Sequence, residues 1–218
     1  MFQQIFNPNN LFFRTCDKIF DVVVLSVLWA VLCLPVVTAG PATAALYYTV
    51  VKCIRRGEAG TYRNFFHAFK ENFKVGAVSG VVAAGAGALL WLGWSVVNAA
   101  TAGVAGGAAM RAAYTVVLVI PLGVGVFLFP ALSRFDFGVG GLFVTSLKLA
   151  VKHLPSTVAL ALLHVEVVQV TLQTLFPLTF APALTALISS FLLERIFKKY
   201  TPAPREDERD EESPWYLK

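Results

Sequence analysis

Long uncharged runs separate the charged residues of this chain into a few short clusters. Residues 75–110 contain no Asp, Glu, Lys or Arg, and residues 154–193 contain only Glu166. Only 14% of the residues are charged and 57% are hydrophobic, whereas roughly 25% of the residues in an ordinary soluble domain are charged. One hydrophobic core cannot bury so much apolar surface, and the excess is predicted to face lipid. The composition therefore indicates an integral membrane protein whose first partner is the bilayer.

The run lengths predict an all-α, polytopic membrane helix bundle with five transmembrane helices. We place these spans at about residues 19–39, 76–97, 112–133, 155–175 and 178–197, because about 20 apolar residues cross a bilayer as a helix. Pro35 and Gly40-Pro41 are expected to end the first span. Residues 1–200 form one membrane-embedded domain in this prediction. Residues 201–218 are predicted to be a disordered acidic cytoplasmic tail, since six acids lie between Glu206 and Glu212.

Three shorter pieces are predicted to be amphipathic interfacial helices, at about residues 41–56, 61–74 and 141–153. The second of them carries aromatic residues on one helical face and basic residues on the remainder. Together these aromatic and basic residues form a predicted interfacial surface of Arg63, Phe65, Phe66, Phe69, Lys70, Phe73 and Lys74. Residues 41–51 are uncharged but too short to span as a helix. Three interpretations of residues 41–54 stay open: an interfacial, a re-entrant or a spanning helix.

The distribution of Lys and Arg predicts the orientation. With five spans, Arg14, Lys18 and Arg111 lie on one side of the membrane and the other fifteen basic residues lie opposite. Since positive loops remain cytoplasmic, the N-terminus is predicted outside and the C-terminus inside. A six-span alternative has both termini inside, and it is disfavoured here on the argument that residues 55–74 would then be translocated.

Few polar side chains fall inside the predicted spans. Glu166 lies near the bilayer centre, where a carboxylate is costly unless it is paired, protonated or hydrated. Gln169 and Gln173 share its helical face, whereas His164 points about 160° away from it. These side chains predict either a polar path for an ion or solute, or hydrogen bonds that clamp helices together. Asp21 lies near the outer end of the first span, where a structural pair with Arg14 or another helix is expected.

No familiar catalytic or ligand-binding motif occurs in the sequence. The chain lacks the phosphate-binding and hydrolase motifs, and no Cys or His spacing matches a metal site. We therefore predict a protein that is not an enzyme and has no catalytic residues, no metal and no cofactor. The net charge of +5 is too small and too segregated to indicate a nucleic-acid partner.

Several stretches together resemble the YesL-like family, a family of bacterial integral membrane proteins built on a domain of unknown function. The first stretches are Phe6 to Asn10 with Asn7 and Pro8, Phe12 to Arg14, Asp21, and Leu34 to Tyr48 with Gly40 and Pro41. The later ones are Asn64 to Phe66, Phe69 to Lys74, Arg134 to Asp136, His153 to Pro155, Leu193 to Arg195, and Lys199-Tyr200.

The resemblance implies a multi-pass protein of the bacterial inner (cytoplasmic) membrane. It also implies an accessory or assembly role in carbohydrate uptake, in the context of an ATP-binding-cassette (ABC) sugar transporter. Two protein partners stay open: permease subunits of such a transporter, and further copies of this chain. A small secondary transporter or channel, with a polar path around Glu166, is the alternative hypothesis.

Overall fold

A computed structural model describes residues 11–200 of the chain, with side chains from residue 15 onward, and these residues are all-α without a β-strand. The elements are α1 (Leu11–Leu32), α2 (Val36–Thr49) with a π-helical continuation (Val50–Arg55), α3 (Thr61–Glu71), α4 (Phe73–Ala100), α5 (Gly107–Leu132), α6 (Val139–Lys152), α7 (Leu154–Thr174), a 3₁₀ turn (Phe176–Thr179) and α8 (Ala181–Lys198). The predicted helix at residues 61–74 is thus divided at Asn72 between α3 and α4.

By length and composition, three of the described helices are able to cross a membrane, namely α4, α5 and α7. They correspond to the predicted spans at residues 76–97, 112–133 and 155–175. The other two predicted spans correspond to α1 and α8, which carry more charged residues. Asp17, Lys18 and Asp21 lie in α1, whereas Glu194, Arg195 and Lys198 lie in α8.

The first helix ends earlier than the sequence predicted. The chain turns at residues 33–35 and re-enters a helix at Val36, so Gly40 and Pro41 lie inside α2 rather than at a break. Leu34 precedes Pro35 and is therefore disfavoured in a helical conformation. The Thr38 hydroxyl donates hydrogen bonds to the carbonyls of Leu32 and Pro35 across the turn. The prediction of a break at Gly40-Pro41 was wrong because Pro41 is accommodated within the helix.

Two contacts show that α1 and α2 form an antiparallel hairpin. The Trp29 indole donates to the Thr43 hydroxyl at 3.1 Å near the turn. At the open end, Val22, Leu25, Val50 and Ile54 belong to one buried cluster that also contains Phe65 of α3. The hairpin therefore returns the chain to the level of Val22, in the middle of α1.

Helices α4 and α5 form a second hairpin, and α7 and α8 form a third. Tyr114 of α5 donates to the Leu90 carbonyl of α4 at 3.1 Å. Arg111 donates to Thr101 at the α4–α5 loop, where it compensates the carbonyl end of α4. His153 and Tyr200 meet at 3.2 Å where the third hairpin opens. Helices α3 and α6 connect the three hairpins in sequence.

Candidate functional site

A buried ion pair lies where α2, α8 and the end of α5 meet. An Arg134 Nη donates to a Glu194 carboxylate oxygen at 2.5 Å, and the Tyr47 hydroxyl lies 3.3 Å from the other carboxylate oxygen. Arg134 is 5% exposed and Glu194 3% exposed. The Arg134 guanidinium also lies 5.5 Å from the centre of the Phe197 ring. A fully desolvated pair of this kind is costly to build and more costly to break, so it fixes the relative positions of three elements.

Three other polar contacts lie at the open ends of the hairpins. Asp21 accepts hydrogen bonds from the Thr61 hydroxyl at 2.8 Å and the Tyr62 hydroxyl at 3.1 Å. Arg55 donates to the Ser190 carbonyl at 3.0 Å, and His153 meets Tyr200. Burial, followed by the charges of Lys199 and Lys152, lowers the pKa of His153. A neutral imidazole can accept the Tyr200 hydroxyl proton.

These contacts bring together residues that the sequence presented as separate short stretches. Arg134 and Glu194 belong to two of the stretches that carry the family resemblance, and His153 and Tyr200 belong to two others. Lys198 follows Glu194 by four residues, and this spacing alone predicts an ordinary helix-end pair between the two. The structure corrects this interpretation, because Glu194 is buried against Arg134 while Lys198 is exposed. The partner lies 60 residues away in the chain, and no local spacing indicates it.

Glycines allow α2 and α4 to approach closely. A Cβ added to Gly40 would lie 2.0 Å from the Gly76 carbonyl oxygen, and one added to Gly80 would lie 3.0 Å from Gly40. Pro41 occupies the same contact, since a Cβ on Gly76 would lie 2.9 Å from its nitrogen. Gly76 and Gly80 are four residues apart, the spacing of small residues at close helix contacts in membranes. Here these small residues bring together two helices of the same chain.

A cavity of about 460 Å³ lies between α1, α2, α5, α7 and α8, within the size range of small-molecule sites. Its walls are mainly apolar and include Trp29, Phe129 and Leu193, with polar groups from Thr43, His164 and Ser189. His164 Nδ1 lies 2.7 Å from the Leu160 carbonyl, which requires Nδ1 to donate and leaves Nε2 available. The Ser189 hydroxyl is buried and makes no hydrogen bond to any described residue. The cavity is therefore suited to a mostly apolar molecule with one or two polar atoms.

Glu166, Gln169 and Gln173 do not line this cavity. All three are exposed on the outward face of α7, whereas His164 faces inward. The structure thus separates the four polar candidates of α7 into two groups on different faces. An intramolecular polar path around Glu166 has no support from this arrangement.

A second, wider groove of about 780 Å³ lies beside α6 and the end of α8. Phe135, Phe137, Leu149 and Phe197 form its apolar part. Lys148, Lys152 and Tyr200 also line it, and Lys152 Nζ lies 5.0 Å from the centre of the Tyr200 ring. The groove combines apolar walls with two cations.

The remaining predicted positions fall into three groups. Asn7 and Pro8 and the predicted acidic tail lie outside the described residues, and Arg14 belongs to the first turns of α1. In α3, Phe65 is fully buried and Phe69 packs on the buried cluster that Phe65 forms with α1 and α2, whereas Phe66, Arg63 and Lys70 are exposed. Phe73 and Lys74, at the start of α4, are exposed as well.

Among the residues described, no group of three or more His, Cys, Asp or Glu side chains is placed to hold a metal ion.

Comparison with known proteins gives one family match. A family model described as "Protein of unknown function, DUF624" matches residues 22–94, which include most of the first hairpin, α3, and the contact between Gly40 and Gly80. No curated protein and no solved structure matches the chain. DUF624 is the domain found in YesL-type proteins, so residues 22–94 resemble a domain that carries no assigned function.

Proposed function

We propose that this chain is a non-enzymatic integral membrane protein that acts as an accessory or assembly partner in carbohydrate uptake. Its partners in this proposal are permease subunits of an ABC-type sugar transporter in the bacterial cytoplasmic membrane. The family resemblance supplies this context, and the match to DUF624 is in keeping with it. The observation that carries the proposal is the groove beside α6, because it provides a docking surface for another protein.

The chemistry of the groove defines the segment that would occupy it. Aromatic and aliphatic side chains of the α5–α6 connection, α6 and α8 favour an apolar helix face, while Lys148 and Lys152 favour carboxylates beside it. Short cytoplasmic segments of a membrane-embedded partner can present both features at this level. We therefore propose an amphipathic, acidic segment of the permease as the occupant.

The contacts at the hairpin ends support an orientation that differs from the five-span prediction. Asp21, in the middle of α1, bonds to Thr61 and Tyr62 at the start of α3, which supports placing the first half of α1 on the same side of the membrane as α3. The α1–α2 hairpin then enters from and returns to the cytoplasmic side, and both termini are cytoplasmic. Arg111 becomes the single basic residue on the outer side, against 17 of the 18 inside. In this proposed orientation residues 55–74 stay inside, so the argument that they would be translocated does not apply to it.

Purification of the tagged full-length chain in mild detergent tests the accessory role. Permease subunits of a sugar transporter should be recovered with it, identified by mass spectrometry. The double substitution Lys148→Glu and Lys152→Glu should strongly reduce this recovery, because it repels an acidic segment. The matched substitution Lys70→Glu and Lys74→Glu, on the other amphipathic connection, should leave it unchanged. Recovery of further copies of this chain alone would contradict the proposal.

A secondary transporter or channel is the second candidate, and the cavity with His164 and Ser189 favours it. In this hypothesis the polar path runs along the face of α7 that carries His164, rather than around Glu166. Solute flux into vesicles containing the purified protein should then be lost with His164→Leu and retained with Glu166→Gln. Flux that disappears with Glu166→Gln would instead favour a path around Glu166.

A further inference from the structure

The outward face of α7 carries three polar side chains that find no partner within the described part of the chain. Glu166, Gln169 and Gln173 are exposed and make no hydrogen bond or ion pair to residues 15–200. Three other polar residues of this helix behave differently. His164 bonds to the Leu160 carbonyl, and the Thr171 and Thr174 hydroxyls bond to carbonyls four residues earlier. Long carboxyl and carboxamide side chains are thus left at the surface of an apolar helix.

The position of these side chains makes exposure to lipid unfavourable. α7 is one of the three helices able to cross a membrane, and it is the least buried of the three. Glu166 is its thirteenth residue of 21, far from either end. Polar side chains at this depth are rare unless they face other protein or water, because an unsatisfied polar group in hydrocarbon is costly. A protein partner on this face would remove that cost.

The spacing of the residues is that of a helix–helix seam. Pro155, Ala159, Leu162, Glu166, Gln169 and Gln173 follow each other at alternating intervals of three and four residues. This 3.5-residue repeat is the one by which two helices pack at a small crossing angle. Leu162 on the same seam is 59% exposed. We call this row of residues the seam. Its spacing is continuous along α7, but its side chains stay exposed in the single chain.

We propose that a second copy of this chain covers the seam, with α7 packed against α7 in a two-fold symmetric dimer. Copies in one membrane share their orientation, so a two-fold axis along the membrane normal brings identical residues to identical depth. A carboxamide both donates and accepts, so Gln169 can pair with Gln169 of the second copy. Gln169 of the second copy lies one helical turn from Glu166, and its carboxamide can donate to the Glu166 carboxyl in either charge state. The polar set is thus self-complementary, whereas a different partner would need matching polar groups at the same depths.

Disulfide cross-linking in native membranes tests the seam. With Cys16, Cys33 and Cys53 replaced by alanine, Leu162→Cys and Gln169→Cys should each form a cross-linked dimer on mild oxidation. Val168→Cys and Leu172→Cys are matched controls on the same helix: both native residues are more than half exposed but lie on another face. They should not cross-link. Equal cross-linking at all four positions, or cross-linking to a different protein, would overturn the proposal.

The dissociation constant of the dimer in lipid vesicles provides the second measurement. Glu166→Leu or Gln169→Leu should weaken association about 3- to 30-fold, as expected for one interhelical hydrogen bond in a membrane. Glu166→Gln should leave it nearly unchanged. The melting temperature of the isolated monomer should not fall with Glu166→Leu, since Glu166 has no intramolecular contact there. A fall in that temperature, or association unaffected by both leucine variants, would contradict the dimer. This outcome is independent of whether permease subunits are recovered.

Discussion

At the scale of single residues, the buried pair of Arg134 and Glu194 determines how the hairpins are held together. Glu194→Leu should lower the free energy of unfolding by about 3–5 kcal/mol, because it leaves the Arg134 guanidinium desolvated without its counter-charge. Replacing both residues, as Arg134→Met with Glu194→Leu, should restore most of this loss. Unfolding in detergent by increasing denaturant measures both variants against the native chain.

Lys198→Ala is the control for this prediction. Lys198 is the partner that local spacing suggested for Glu194, and its side chain is exposed. Removing it should change the unfolding free energy by less than about 0.5 kcal/mol, as for an exposed helix pair. If Lys198→Ala were as destabilising as Glu194→Leu, the local pair rather than the buried one would hold this end of α8.

Sequence reasoning separated the polar residues of α7 correctly into faces but paired Glu194 with Lys198 instead of Arg134. The angle between His164 and Glu166 follows from helix geometry alone, and the structure places the two side chains on different faces. The partner of Glu194 depends on how α5 and α8 cross, which no single-helix pattern contains. The same holds for Asp21, whose partners Thr61 and Tyr62 come from α3.

At the scale of elements, the contact of α2 with α4 depends on glycine at three positions. Gly40→Ala should destabilise the protein by about 1–3 kcal/mol, because the added Cβ collides with backbone atoms that have little freedom to move. Gly85→Ala in α4 is the matched control, since nothing lies within 4 Å of its added Cβ. It should be neutral or slightly stabilising, as alanine has the higher helix propensity. Thermal unfolding of both variants in one detergent measures the difference, and similar melting temperatures would refute the close contact.

The helices bounded by charge or proline were predicted to within a few residues, and the first hairpin was not. α5, α6 and α7 begin and end near Arg111, Arg134, Lys152 and Pro155, which mark the ends of apolar runs. The boundary between α1 and α2 was predicted wrongly, because Pro41 was expected to end a helix. A proline deep in a membrane-type bundle is tolerated where neighbouring helices pack around it, and Gly76 packs against Pro41 here. The aromatic stripe of α3 was assigned to the membrane surface, but Phe65 is buried by α1 and α2.

At the scale of the whole molecule, three helical hairpins open toward one end, where the polar contacts are concentrated. Three contacts join neighbouring segments at this end: Asp21 of α1 with Thr61 of α3, Arg134 after α5 with Glu194 of α8, and His153 before α7 with Tyr200 after α8. The tips at residues 33–35, 101–106 and 175–180 carry no charged residue. Uncharged tips and a basic open end are in keeping with the proposed orientation, in which the open end is cytoplasmic.

The side on which the N-terminus lies distinguishes this arrangement from five spans. In a chain without native cysteines, Ala105→Cys should react with a membrane-impermeant reagent in intact cells, whereas Gly57→Cys and Ser213→Cys should not. Both arrangements share these three results. Asn9→Cys separates them. We expect it to be protected from the reagent, because the bond between Asp21 and Thr61 places the first half of α1 on the side of α3.

Leu34→Cys then reports how deep the tip of the first hairpin lies. Asp21 to Leu34 extends about 20 Å as helix, which is less than the hydrocarbon core of about 30 Å. We expect Leu34→Cys to be protected as well, as in a re-entrant hairpin; labelling there would indicate a full crossing and six spans. Labelling of Asn9→Cys would restore the five-span orientation and would contradict the bond between Asp21 and Thr61.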